Sequence, residues 1–118
     1  MKLLQTMILA TAMLVATAGA GHCAFFSGSQ ILEECSVAED DLAYFISRNT
    51  CVGYIEAVAD VSHCGEDVLG FSWKSPEHVT AVQLVEVFTK WLNEHPEKLQ
   101  YDAAGLVANA LQDAFPCQ

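Results

Sequence analysis

The sequence predicts an all-α protein, a compact bundle of four to five helices stapled by disulfides. Three observations lead there. Apolar residues recur at helical spacing in several separate stretches, no run of useful length alternates as a strand would, and five cysteines follow a segment shaped for export.

Residues 1–20 read as a signal peptide, leaving 21–118 as a single domain. Lys2 supplies the positive start, Leu3 to Val15 is mostly apolar, and Ala18-Gly19-Ala20 gives a small-residue cleavage site. The run is too short and too lightly flanked for a good membrane span. His22 stands where lipid attachment at Cys23 would want a small residue.

Beyond that point, Phe25 and Phe26 are expected to dock on the core. Ser27 or Ser29 can cap a short helix in which Ile31, Leu32 and Cys35 share a face. Ser36-Val-Ala-Glu39 fits a capping box and so predicts a second helix, with Leu42, Phe45 and Ile46 as its apolar side. Arg48-Asn49-Thr50 breaks that helix or kinks it into the next. Cys51, Tyr54, Ile55, Val58 and Ala59 then form a buried stripe in a helix running to about His63. Gly53, poor for helix propensity, suggests a close backbone approach within that helix.

Cys64 to Pro76 has no helical period and reads as a loop carrying Glu66, Asp67, Phe71 and Trp73. Thr80 with Gln83 opens a long amphipathic helix with Leu84, Val85, Phe88, Trp91 and Leu92 on its apolar face. Pro96 begins a short turn through Leu99. The last helix, about Asp102 to Phe115, carries Ala103, Leu106, Val107, Ala110, Leu111 and Ala114, and Pro116 stops it.

Ninety-odd residues bury only about 60–65% of their unfolded surface, so staples matter. Spacing alone does not decide how five cysteines pair. Cys35 and Cys51 both lie on apolar faces of neighbouring helices, and a bridge there closes a loop of about seventeen residues, worth on the order of 3 kcal/mol. Cys64 and Cys117 each follow a helix, and antiparallel packing would bring those ends together. Cys23 is then the unpaired thiol.

The chain has 118 residues and a formal charge of −10; with Lys2 removed, residues 21–118 carry −11. That surface argues against binding nucleic acid or anionic lipid and would favour a basic protein partner. His22, His63, His78 and His95 are scattered without metal-ligand spacing, a Cys–His nucleophile pair using Cys23 has no activating environment in the sequence, and the chain lacks a Ser nucleophile elbow, a phosphate-cradling glycine loop and an obvious paired-carboxylate site. The reading is a protein with no cofactor, no metal and no catalytic residue.

Three stretches, CVGYIEAVAD, SPEHVTAVQLVEVFTKWLNEHPEKL and AAGLVANALQDAFPC, resemble the Rap1a/Tai immunity proteins over about Phe26 to Cys117. Cys51, Gly53, Tyr54, Ile55, Val58 and Asp60 fit a C-x-G-Y-I-x-G-V-x-D pattern, with Ala57 replacing its second glycine. Pro76, Val79, Thr80, Gln83 and Leu84 fit the opening of the long helix, His95-Pro96-Glu97 its end, and Phe115-Pro116-Cys117 the terminus. Lys74 stands where the family usually has a cysteine, and Cys64 is the substitute partner for Cys117.

The resemblance implies a periplasmic, non-catalytic protein that binds and inhibits a type VI secretion peptidoglycan amidase effector, protecting the cell wall. It allows a homodimer, which the sequence itself does not show. Gly53, Tyr54 and Asp60 then belong to the scaffold. Glu66, Asp67, Phe71 and Trp73 become the partner-binding loop, because long loops in small domains are often functional and aromatic side chains dominate binding hot spots. The alternative for the rings is to fold back onto the bundle. A second functional reading is a small periplasmic acid-stress chaperone, whose fifteen carboxylates would reshape its surface at low pH.

Overall fold

A computed structural model describes residues 24–67 and 70–118. Among the described residues four α-helices follow one another: α1 (Gly28–Ser36), α2 (Tyr44–Asp60), α3 (Ala81–Glu94) and α4 (Ala103–Ala114), with a 3-10 turn at Pro96–Lys98 before the last. No helix among the described residues is long and apolar enough to cross a membrane. The expected signal peptide and the expected free thiol, Cys23, lie outside the described residues.

Two of the helices start where their capping boxes put them. In α1, Ser27 Oγ accepts from the Gln30 N–H at 3.4 Å while Gln30 Oε1 accepts from the Ser27 N–H at 2.9 Å. In α3, Thr80 and Gln83 make the same exchange at 3.3 and 2.9 Å. Each box satisfies two N–H groups that a helix start leaves without partners.

The third capping signature forms no helix start. Ser36 is already the last residue of α1, and residues 39–43 are turns in which Asp41 Oδ1 accepts from the Ala43 N–H at 2.7 Å. This local bond competes with helix for the same backbone. Consequently α2 begins at Tyr44. It then runs unbroken through Arg48-Asn49-Thr50, where Thr50 Oγ1 donates to the Ile46 carbonyl at 3.0 Å.

The core draws on every helix. Ile31, Cys51, Ile55, Phe88, Leu92, Val107 and Leu111 are fully buried. A disulfide joins Cys35 to Cys51, fixing α1 against the inward side of α2, and a second joins Cys64 to Cys117. The start of α1 is held by backbone bonds from Gly28 and Ser29 N–H to the Tyr101 and Leu99 carbonyls, both 2.9 Å, and from Ala103 N–H to the Phe26 carbonyl, 2.9 Å. Gly28 permits this approach. A Cβ there would lie 3.0 Å from the Leu99 carbonyl oxygen and 2.5 Å from Leu106 Cδ1. Between α3 and α4, Trp91 Nε1 donates to Asp113 Oδ2 at 2.8 Å.

Some expected core positions face outward. Phe26 packs edge-on against Tyr54 at 5.5 Å between ring centroids, but Phe25 is 93% exposed. Leu42, Phe45 and Ile46, read as an inward stripe, are 102%, 76% and 74% exposed. The reason is helical phase. At about 100° per residue Ile46 lies opposite Cys51 and Ile55 and Phe45 lies to one side, while Leu42 precedes the helix in a turn; the Cys35–Cys51 bridge holds the other side of α2 inward.

Candidate functional site

The connection from Val61 to Thr80 is the longest irregular segment among the described residues, and the fold pins it at three levels. At its base the buried Ser62 hydroxyl donates to the Glu66 carbonyl at 2.7 Å and also lies 3.3 Å from the Phe71 carbonyl. In its middle the Trp73 ring is fully buried, with Nε1 donating to the Ala59 carbonyl at 3.3 Å. Along its edge the C-terminal tail acts as a strap. The Lys74 N–H donates to the Phe115 carbonyl at 2.9 Å, Gln112 Oε1 accepts from the Ser72 N–H at 3.1 Å, and Cys117 is bonded to Cys64.

Between these anchors the chain turns sharply. Gly65 and Gly70 have φ of 97° and 80°, values that glycine adopts without strain. His78 adopts φ 66° in the turn before α3. The tip projects His63, Glu66 and Asp67 into solvent, with His63 Nε2 3.6 Å from Glu66 Oε2. Such an exposed pair is worth little to stability.

Three recesses flank the loop. Half-buried Phe71, with Tyr101, Leu106 and Asn109, lines one of about 420 Å³. Asp60, His63, Lys74 and Val79 line another of about 550 Å³. The third, about 450 Å³, lies between His78, Gln83, Glu86, Lys90 and Phe115. Among the described residues no group of three or more His, Cys, Asp or Glu side chains could hold a metal ion.

The expected site residues therefore separate. Glu66 and Asp67 are exposed at the tip, Phe71 lines a recess, and Trp73 is a core residue. Trp73 is corrected from binding anchor to internal anchor: its ring fills the space beneath the loop and its N–H is already bonded. Asp60 is exposed at the last position of α2. Tyr54 is half-buried, and burial foremost pushes its phenol up from 10.0; the Ala104 backbone bond opposes this and the Asp102 charge adds to it. Gly53 is exposed, and a Cβ there would meet nothing within 4 Å, so no backbone elsewhere among the described residues approaches it. Sequence reading missed the bonds from Gln112, near the end of α4, and Phe115, just beyond it, because contacts from a helix end to a loop leave no periodic signal.

Fold and site together define a small helical, disulfide-tied protein with an acidic loop held at Ser62, Ser72, Trp73 and Lys74. The family model described as Rap1a immunity proteins matches residues 27–117, and the chain belongs to that family. Membership implies that it binds a cognate effector. No curated protein matches the chain.

Proposed function

We propose that the chain is a periplasmic immunity protein that binds a type VI secretion peptidoglycan amidase and blocks access to its active site. Residues 1–20 direct export, and residues 21–118 act as a non-catalytic inhibitor. Loop 61–80 is the inhibitory element, with Glu66, Asp67 and Phe71 as its contacts.

The observation that carries this reading is the pinning of the loop in a chain of this family. Ordering a flexible loop on binding costs about 0.5–1.5 kcal/mol for each immobilised long side chain. The Trp73 anchor, the Phe115 strap and the Cys64–Cys117 bond order the backbone beforehand. Glu66 and Asp67 then add charge complementarity to a basic rim, which raises the association rate and fixes orientation.

The test is protection in the cell. The cognate amidase directed to the periplasm lyses its host, and co-expression of the full chain restores growth. The same chain lacking residues 1–20 gives no rescue. Rescue by the truncated chain, or none by the full one, contradicts the proposal.

A further inference from the structure

The outward face of α2 is unlike a solvated helix surface. At about 100° per residue, Ile46, Asn49, Gly53, Glu56 and Asp60 fall along one line, with Phe45 beside its first turn and Leu42 in the turn just before the helix. Leu42, Phe45 and Ile46 are 102%, 76% and 74% exposed, and Tyr44 packs edge-on against Phe45 at 5.5 Å. Single exposed apolar residues need no explanation, but three adjacent large ones point to an interaction surface.

Gly53 lies further along the same line, with open space where a Cβ would stand. An exposed mid-helix glycine weakens the helix, and no contact among the described residues needs it. It leaves a flat place where a partner can approach the helix closely. The line ends at Asp60, where the candidate loop begins.

From these features we infer that the outer face of α2 is a second docking surface for the effector, continuous with loop 61–80. It fits a protein presenting an apolar recess rimmed by Lys and Arg. Charge selects this occupant. Glu39, Asp40 and Asp41 flank the apolar end, Glu56 and Asp60 lie toward the loop, and Arg48 is the only cation on the helix. A second copy docked antiparallel along this line would set the acidic end of each helix start against Glu56 and Asp60 of the other. Like charges would also meet in a parallel arrangement. The inference rests on the immunity reading only for the identity of the partner.

The exported chain and two variants, L42S/F45S and Gly53→Gln, are compared by calorimetric titration with the effector, thermal unfolding and sedimentation. L42S/F45S is expected to unfold at an unchanged temperature and to lose about 30-fold or more in affinity, the loss given by one truncated hot-spot side chain. Gly53→Gln is expected to unfold at a higher temperature and yet to bind more weakly. Wild-type affinity in both variants, with the effector still bound and inhibited, overturns the docking surface and leaves the immunity reading standing. A wild-type dimer that L42S/F45S makes monomeric without loss of effector affinity assigns the face to a second copy and also overturns it. Failure of the wild-type chain to bind the effector overturns both.

Discussion

Trp73 shows what a sequence leaves open about a single side chain. In a stretch without helical period, nothing in the order of residues says which way a ring points, so a partner-binding anchor and a ring folded back onto the bundle were both open. The ring is fully buried and bonded to the Ala59 carbonyl, so its removal should be a folding defect. Trp73→Ala is expected to cost about 3–5 kcal/mol in chemical denaturation, as for other large aromatic truncations. A variant of unchanged stability that had lost only effector binding would return Trp73 to the surface. Gly28 is the opposite case, a small residue required by its surroundings. Gly28→Ala is expected to cost about 1–3 kcal/mol, because the Leu99 backbone cannot yield as a side-chain tip can. Tyr54 sets a pH limit. Its phenol titrates higher in the folded chain than the usual 10.0, so the folded state holds the proton more tightly than the unfolded one. Its contribution is complete below about pH 10 and declines as pH rises through the folded value. Tyr54→Phe is therefore expected to flatten the alkaline fall in stability measured by denaturant titration.

At the scale of elements, the helical periods and two of three capping boxes were legible. The long amphipathic helices announced themselves because their apolar faces are continuous, and α3 and α4 lie close to where the sequence puts them. The Ser36–Glu39 box failed because a capping signature describes a possible start, and Ser36 was already occupied in the helix before it. The orientation of Leu42, Phe45 and Ile46 was not legible, since both sides of α2 carry apolar residues and only the Cys35–Cys51 bond distinguishes them. The second bond, with a sequence separation of 53, confines the unfolded chain more strongly, by about 4 kcal/mol in the chain-entropy model. Replacing Cys64 and Cys117 by serine together is expected to lower stability by about 2–4 kcal/mol. It should also raise hydrogen exchange at Ser72 and Lys74, while the α3 amides exchange at a rate set by global unfolding. Unchanged exchange at Ser72 and Lys74 would mean that the strap bonds hold the loop without the disulfide.

For the whole molecule, function follows from what the small core leaves over. Helices, disulfides and strap enclose the core, and the exposed features of the described residues include an acidic loop, the three recesses beside it and an apolar patch at the start of α2. With a charge of −11 on residues 21–118, attraction to a basic partner is built into the chain, and it weakens as salt screens it. The family match turns that surface from a generic acidic protein into an effector binder. Occlusion of the active site can be read directly by titrating the purified cognate amidase with residues 21–118. Cleavage of peptidoglycan peptides is expected to fall to zero at one inhibitor per amidase, with the two proteins eluting as one complex. Full amidase activity at excess inhibitor, with the two proteins eluting separately, would contradict it.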